Sequence, residues 1–169
     1  MAERIDELRD LCENLRAMAP DRTADPVRIA GALGVRVRFF DLGEVKGFYT
    51  VVNGVPFIAL NRQLPEEVRN IVCAHELGHH LLHRDIAEKT VFNDYDLYRM
   101  ETKFEREANL FASFLLITGE DLLALQEPAL SGRSVPELAA ALGTTAELLA
   151  IRLRAEGLPL DVRVSRFPA

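Results

Sequence analysis

The sequence predicts an α+β fold in which a small, mostly antiparallel sheet packs against several amphipathic helices. The dipeptide Asn53-Gly54 separates two β-rich runs, and Asn-Gly is the strongest two-residue hairpin signal. Apolar residues recur at helical spacing both before and after this hairpin. The chain has 169 residues, 49% of them hydrophobic and 27% charged, which suits one domain with its own core.

The first 60 residues are predicted to form two helices followed by three strands. Gly34 ends the second helix. Val35, Val37 and Phe39 alternate with Arg36, Arg38 and Phe40, which predicts a half-buried strand. The segment Phe57–Asn61 is expected at a sheet edge, where an extended substrate could pair with it. The predicted elements are helix 2–18, helix 26–33, strand 35–40 and hairpin strands 48–52 and 55–60.

The rest of the chain is predicted to be helical apart from one connection. Pro65 and the acidic residues after it begin a long helix, because proline and acids suit a first turn. Ser134 and Thr144 each open a Ser/Thr-x-x-Glu capping box, which predicts a helical hairpin. Residues 84–99 show little periodicity and are expected to be a polar connection. The predicted helices are 65–83, 100–117, 119–126 and two within 134–157.

Charge and cysteine content argue against several classes of protein. The net charge of −6 repels phosphate backbones, so no direct binding of nucleic acid is expected. No apolar run is long enough to span a membrane, and the N-terminus does not resemble a signal peptide. Cys12 and Cys73 are too few for a disulfide framework. We therefore expect a cytoplasmic protein in which Cys73 is a packed apolar residue.

All four histidines of the chain lie between positions 75 and 83, and residues 75–79 form the pattern His-Glu-x-x-His. On a helix, His75 and His79 are one turn apart on the same face, so both imidazoles can aim at one metal ion. Glu76 lies beside the first of them, where its carboxylate can take a proton from a water that the metal activates. The segment therefore indicates metal-dependent hydrolysis with Glu76 as the catalytic base.

The two remaining histidines are poor candidates for a third metal ligand. Catalytic zinc sites usually have three protein ligands, so one more is expected. His83 lies about 6 Å beyond His79 along the helix axis, which is too far to close on the same ion. His80 points to another side of the helix. Both are expected to be supporting or exposed groups.

The predicted helix over residues 100–117 is a better source of the third ligand. Glu105 is the expected ligand, with Glu101 and Glu107 as the alternatives. Asn109 lies one turn after Glu105 on the same face. We expect Asn109 to hydrogen-bond the far nitrogen of a ligand histidine and so hold its tautomer.

Two further features bear on this site. Gly78, inside the histidine helix, costs roughly 1 kcal/mol relative to alanine. Close approach of a helix or strand at that point would explain it, and the small residues Ala108 and Ala112 allow their face to approach the histidine helix closely. Tyr95 and Tyr98, in the segment before the glutamate helix, are candidates for an oxyanion donor.

Residues 74–79 read Ala-His-Glu-Leu-Gly-His, followed by Leu82-His83, and residues 105–112 read Glu-Arg-Glu-Ala-Asn-Leu-Phe-Ala. Together with Leu115-Leu116 and the hairpin that begins at Gly47-Phe48-Tyr49, these motifs resemble the ImmA/IrrE family of zinc-type metallo-endopeptidases. The resemblance covers about residues 26–155.

The resemblance implies a zincin-like fold of the gluzincin type. It also implies one divalent metal ion held by His75, His79 and Glu105, with Glu76 as the general base. Zinc is the expected ion, although mixed histidine and carboxylate ligation also suits manganese. Because the length suits one domain and no linker divides the chain, we expect residues 1–169 to form a single zincin-like metallopeptidase domain. Its parts are an N-terminal helix (1–25), a catalytic core (26–126), a helical hairpin (130–157) and a tail (158–169).

Members of the family characteristically cleave a helix-turn-helix transcriptional repressor. The implied function is therefore hydrolysis of a peptide bond in such a repressor, which derepresses mobile-element or stress genes. The alternative is a catalytically silent metal-binding module that regulates through protein–protein contacts. Residues 137–144 also resemble a helix-turn-helix, but residues 145–151 are apolar and acidic where a DNA-reading helix carries basic or amide groups. A packed helical hairpin is favoured over DNA contact.

Overall fold

The computed structural model describes residues 2–18, 24–87, 92–94, 103–126 and 132–158. They form two compact units, Met1–Leu116 and Ile117–Ala169. The expectation that residues 1–169 are a single domain stays a prediction. The helices are α1 (Ala2–Met18), α2 (Pro26–Ala32), α3 (Glu66–Leu82), α4 (Arg84–Ala87), α5 (Lys103–Leu116), α6 (Gly119–Ala124), α7 (Val135–Ala141) and α8 (Ala146–Ala155). The strands are β1 (Arg36–Phe40), β2 (Gly47–Val52), β3 (Val55–Asn61) and β4 (Phe92–Asp94).

The four strands form one sheet in the order β1-β3-β2-β4. β2 pairs antiparallel with both β3 and β4, whereas β1 runs parallel to β3. The β2–β3 hairpin turns at Asn53 and Gly54, whose φ angles of 51° and 77° are both positive. A two-residue turn of this kind matches the twist of the strands that it joins. The predicted α+β class with a mostly antiparallel sheet is confirmed.

Two predictions about the strands are wrong. The segment Phe57–Asn61 belongs to β3, which has β1 on one side and β2 on the other, so it has no free edge for a substrate. β1 is not the half-buried strand predicted: Val37 alone is partly covered, and Phe39 is 42% exposed with the guanidinium of Arg69 5.7 Å from its ring centre. Alternation in a sequence indicates which face of a strand is apolar, but not how far along the strand that face is covered.

The expected polar connection over residues 84–99 is also wrong in part. Its described portion contains the short helix α4 and the three-residue strand β4. Elements this short hold too few positions for a periodic pattern. β4 forms by pairing with β2, where Gly47 is opposite Asp94, so its existence depends on a distant strand.

Helix α3 packs against the sheet through one of its faces. Glu66 and Glu67 lie in its first turn, where negative charge complements the helix dipole. His80 faces β2, and its Nδ1 lies 2.8 Å from the hydroxyl of Tyr49. A Cβ atom at Gly47 of β2 would lie 2.5 Å from Cγ1 of Val72, so the strand backbone comes very close to the helix. Close packing therefore sets the position of α3 on the sheet.

The opposite face of α3 meets α5 at Gly78, which lies about 200° around the helix from His80. A Cβ atom at Gly78 would lie 3.1 Å from Cα of Ala108, 3.1 Å from Cδ1 of Phe111 and 3.3 Å from the carbonyl oxygen of Ala108. The lack of a side chain at Gly78 therefore lets the two helices approach closely. The predicted close approach is confirmed.

Helix α1 packs along α5 and satisfies backbone groups of that helix. The buried Cys12 has its Sγ atom 3.7 Å from the carbonyl oxygen of Phe111. The guanidinium of Arg16 donates to the carbonyl oxygens of Phe114 and Leu115, at 2.7 and 3.2 Å. These carbonyls belong to the last turn of α5, where intrahelical partners are lacking. α1 thus stabilises the C-terminal end of α5.

The second unit contains α6, α7 and α8, and α7 packs against α8 as the predicted hairpin. Thr118 and Ser134 begin α6 and α7 with capping boxes. α8 is capped by Thr145 and not by Thr144, because the backbone N–H of Leu148 donates to the Thr145 hydroxyl at 3.3 Å. None of the helices in the described ranges is long and apolar enough to cross a membrane.

We expect Gly78→Ala to lower the free energy of unfolding by about 1–3 kcal/mol, the usual cost of overpacking. The added methyl group would press on the α5 backbone, which outweighs a helix-propensity gain of about 1 kcal/mol. Chemical denaturation measures the change. Gly31→Ala in α2 is the matched control, since nothing lies within 4 Å of its new Cβ. It should leave stability unchanged or raise it, and equal stability of Gly78→Ala would contradict the tight contact.

Candidate metal centre

The predicted ligands converge in the structure. The Nε2 atoms of His75 and His79 are 3.1 Å apart, and both side chains are fully buried on α3. From α5, Oε2 of Glu105 lies 3.2 Å from Nε2 of His75, and Oε1 lies 3.4 Å from Nε2 of His79. One potential ligand atom from each of the three residues lies within 4.8 Å of the others. Helix packing therefore brings together groups that are 30 positions apart in the sequence.

The spacing and chemistry of these donors fit a small divalent ion. Atoms that lie about 2.0–2.2 Å from a tetrahedral zinc ion are about 3.3–3.6 Å from one another. The separations among the two imidazole nitrogens and the carboxylate oxygens are 3.1, 3.2 and 3.4 Å. Two histidines and one glutamate are also a known donor set of catalytic zinc sites.

Asn109 orients one of the two histidines. Its Oδ1 atom lies 3.0 Å from Nδ1 of His75, and both side chains are buried. An amide oxygen only accepts hydrogen bonds, so Nδ1 of His75 carries the proton and donates it. Nε2, the nitrogen that faces Glu105, is therefore the one that a metal ion would take. The structure thus contains the contact predicted for Asn109, with Nδ1 of His75 occupied as metal ligation through Nε2 requires.

Glu105 is ionised at neutral pH. Burial alone would raise the pKa of its carboxyl, but hydrogen bonds and charge from His75 and His79 outweigh burial and hold the pKa well below its ordinary value. A divalent ion bound by the same three groups would replace the imidazole protons, because metal ligands must be deprotonated. The carboxylate therefore needs no change of charge to become a ligand.

Glu76 and Cys73 are both buried on α3 but differ in chemistry. Glu76 has no exposed surface and follows His75 directly, about 100° further around the helix. Full burial of a glutamate is rare in proteins. Burial raises the pKa of the Cys73 thiol far above its ordinary value, and the charge of Glu76 adds to this shift. Cys73 is therefore a neutral packed thiol outside the ligand group, as predicted.

His80 is buried against the sheet. Besides the hydrogen bond to Tyr49, its ring packs edge-on against the tyrosine ring, with centres 5.4 Å apart. Burial, followed by the positive charge of Arg84, lowers the pKa of His80. The side chain is therefore neutral at neutral pH and links α3 to β2. The sequence does not reveal this role of Tyr49, because its only local signal is a place in a β-rich run.

His83 and Glu107 form a second buried contact beside the ligands. Nδ1 of His83 lies 3.2 Å from Nδ1 of His79, and its Nε2 lies 2.9 Å from Oε2 of Glu107. Glu107, an alternative third ligand on sequence grounds, is outside the ligand group and contacts His83 instead. Burial would raise the pKa of Glu107, but the hydrogen bond from His83, with the charges of Arg4 and Lys103, lowers it below its ordinary value.

Three further candidates from the sequence, Glu101, Tyr95 and Tyr98, lie outside the described residues. The contact between His83 and Glu107 is not among the sequence predictions, although a signal for half of it exists. His79 and His83 are four residues apart on α3, the spacing that lets helix side chains touch. That spacing places His83 too far along the helix to bind the same ion, but it also makes His83 a neighbour of the proposed ligand His79.

A helix with two histidine ligands, packed between a small sheet and a glutamate-bearing helix, is the architecture of the zincin class of metallopeptidases. The model of the Peptidase_M78 family, described as the IrrE N-terminal-like domain, matches residues 30–154, and the chain belongs to this family. The predicted resemblance to ImmA/IrrE proteins and the predicted zincin-like fold are confirmed.

Two curated relatives support this membership. The chain is 34% identical over 97 residues to uncharacterized immunity region protein 2 of Bacillus phage phi105, which covers 57% of this chain and 60% of the relative. It is 32% identical over 102 residues to metallopeptidase ImmA of Bacillus subtilis (strain 168), which covers 59% of this chain and 57% of the relative. The alignments thus span less than two thirds of either relative.

Glu105→Gln should weaken zinc binding by more than about 100-fold. Loss of a group that only orients a ligand costs about 10- to 100-fold, and loss of a ligand itself should cost more. An amide oxygen is a much poorer ligand than a carboxylate. Competition with a chromophoric chelator measures the affinity, and Glu13→Gln, an exposed position on α1, makes the same charge change as a control. Unchanged binding in Glu105→Gln would remove this residue from the site.

Asn109→Ala should weaken zinc binding by about 10- to 100-fold, because His75 would lose the acceptor that orients it. Asn109→Asp keeps an acceptor oxygen at the same place and should bind zinc much more tightly than Asn109→Ala. The same chelator competition compares the two variants. Equal affinities for both would show that the contact with His75 does not depend on the acceptor.

Proposed function

We propose that this protein is a metal-dependent endopeptidase that hydrolyses a peptide bond in a protein substrate. The observation that carries the proposal is the convergence of His75, His79 and Glu105, with the buried Glu76 next to the first histidine. Three protein ligands leave one position of a tetrahedral ion for water or substrate, which is the usual arrangement at catalytic sites. The family to which the chain belongs supports metallopeptidase activity.

The two imidazoles and Glu105 would hold the ion. Zinc is the proposed metal, and manganese is the alternative, since the same mixed ligands suit both. When bound, such an ion supplies Lewis-acid chemistry: it lowers the pKa of bound water to about 7 and polarises the scissile carbonyl. Asn109 keeps the lone pair of His75 on Nε2, and Glu105 contributes negative charge to the ligand set.

Glu76 is proposed to act as the general base and then as the general acid. Its carboxylate takes a proton from water as the water oxygen attacks the carbonyl carbon. The same proton then passes to the leaving amine nitrogen as the carbon–nitrogen bond breaks. The position of Glu76 suits this role, because it directly follows the ligand His75 and is shielded from bulk solvent.

The proposed substrate is a helix-turn-helix transcriptional repressor, whose cleavage would derepress mobile-element or stress genes. The ImmA/IrrE membership supports this substrate class, and one relative is named for a phage immunity region. We place the activity in the cytoplasm, where such repressors act. Cys12 and Cys73 are both free thiols, in keeping with a reducing compartment.

No direct contact with DNA is proposed. In α8, Arg152 is buried, its Nε atom donates to the carbonyl oxygen of Ile117 at 3.0 Å, and its guanidinium pairs with Glu156. A side chain used in this way is not available to a phosphate group. The net charge of −6 also opposes approach to a nucleic acid.

Glu76→Gln tests the proposal. It should retain zinc binding but lose activity by about 100- to 10,000-fold, the contribution of general acid–base catalysis. The assay incubates the zinc-loaded protein with a helix-turn-helix repressor encoded in a neighbouring gene and detects fragments by mass spectrometry. Glu13→Gln, which removes an exposed carboxylate, should cleave like the unaltered protein.

The possible outcomes separate the two functions considered for the chain. Cleavage by the unaltered protein and none by Glu76→Gln supports the endopeptidase. If the unaltered protein binds zinc but cleaves none of the repressors offered, a catalytically silent regulatory module is favoured. Absence of metal binding would overturn the metal centre itself.

A further inference from the structure

His83 links a metal-ligand histidine to a carboxylate that does not bind the metal. Its ring lies between His79, with Nδ1 atoms 3.2 Å apart, and Glu107, with Nε2 and Oε2 2.9 Å apart. His83 is 4% exposed, so water does not readily replace either contact. The three side chains therefore form a continuous row of hydrogen-bonding groups that ends at the proposed metal ligand.

The row has a definite direction. A carboxylate only accepts hydrogen bonds, so Nε2 of His83 must donate to Glu107. Ligation of a metal through Nε2 would leave the proton of His79 on Nδ1. That N–H then donates to Nδ1 of His83 at 3.2 Å, while Nε2 of His79 lies 3.4 Å from the Glu105 carboxylate and 3.1 Å from Nε2 of His75.

We propose that His83 and Glu107 are positioning residues that hold His79 in its metal-ligating tautomer. The inference rests on the proposed metal site, but it assigns a role to two residues outside that site. Asn109 has the equivalent role for His75 and reaches it directly. Glu107 reaches His79 only through His83, so the second ligand depends on a two-step relay.

The surroundings of His83 hold it in place for this role. Its backbone N–H donates to the carbonyl oxygen of His79 at 2.9 Å and closes the end of α3. The Phe104 ring packs edge-on against the imidazole, with ring centres 5.0 Å apart. Oε1 of Glu107 faces Arg4 and Lys103, at 3.7 and 3.8 Å, which leaves Oε2 for His83. Rotation of the His83 ring would break its contacts with His79, Phe104 and Glu107 together.

Two substitutions interrupt the relay at different points. His83→Phe removes both ring nitrogens but keeps an aromatic ring beside Phe104. Glu107→Leu removes the acceptor with little change in volume, and Glu107→Gln restores an acceptor oxygen without the charge. Tyr49→Phe is the matched control. It removes a hydrogen bond from His80, which like His83 is a buried histidine outside the ligand group.

The test reads histidine tautomers by long-range proton–nitrogen NMR of full-length protein with ¹⁵N-labelled imidazoles. Only four histidines contribute signals. Spectra are taken without metal and with zinc, at a mildly alkaline pH above the ordinary pKa of an imidazole. Zinc affinity is measured in parallel by chelator competition. Neither readout requires peptidase activity.

The unaltered protein should show His79 with its proton on Nδ1 when zinc is bound, and a measurable fraction of this tautomer without metal. His83→Phe and Glu107→Leu should lower that fraction without metal and bind zinc about 10- to 100-fold more weakly. Glu107→Gln should recover most of both properties. Tyr49→Phe should change the signals of His80 alone.

Unchanged His79 tautomers and zinc affinity in folded Glu107→Leu would overturn the relay while leaving the metal site intact. Lower stability with an unchanged tautomer would also overturn it, since that is the effect of a purely structural pair. If the unaltered protein binds no zinc, the proposed function fails, but the metal-free spectra still decide the relay. If His83→Phe does not fold, Glu107→Leu and Glu107→Gln carry the test alone.

Discussion

Direct contact between the backbones of α3 and α5 is the constraint on which the candidate centre depends. At Gly78 and Ala108 the two helices approach so closely that even one methyl group would press on the neighbouring backbone. Side chains as short as those of Glu105 and Asn109 can therefore reach His75 and His79 across the interface. A wider separation would leave the carboxylate out of reach of the imidazoles.

The other elements of the first unit support this contact. The sheet meets the other face of α3, where Gly47 brings β2 close to Val72. α1 packs along α5, and Arg16 donates hydrogen bonds to carbonyl groups at the end of that helix. Because the sheet packs on α3 and α1 packs on α5, the ligand geometry does not depend on the ligands alone.

Much of this structure can be predicted from the sequence because the strongest signals are local. The Asn53-Gly54 turn and the His-Glu-x-x-His spacing each depend on a few neighbouring residues. The hairpin turns at Asn53 and Gly54, and the histidine motif lies on the helix α3, as predicted. The cost of Gly78 within a helix indicates a close partner without identifying it. A motif with a rigid helical period predicts geometry almost as directly as a contact does.

The features that the sequence does not predict all depend on contacts between distant segments. β4 is recognisable only through its pairing with β2. Phe39 of β1 is exposed, and nothing in the local sequence indicates how far along β1 the core extends. The central position of β3 depends on a parallel partner that lies earlier in the chain. The contact of His83 with Glu107 joins two helices, whose relative rotation cannot be read from either one.

The arrangement of α5 limits how this segment can change in length. Relative to Ala108, which faces α3, Glu105 lies about 60° to one side and Glu107 about 100° to the other. Five consecutive residues thus serve the histidines from both flanks. Insertion or deletion of a single residue within them would rotate the rest of the helix by about 100° and misalign both flanks at once. A substitution here removes one contact, whereas a change of length removes several, so libraries built on the protein should keep the length of this stretch intact.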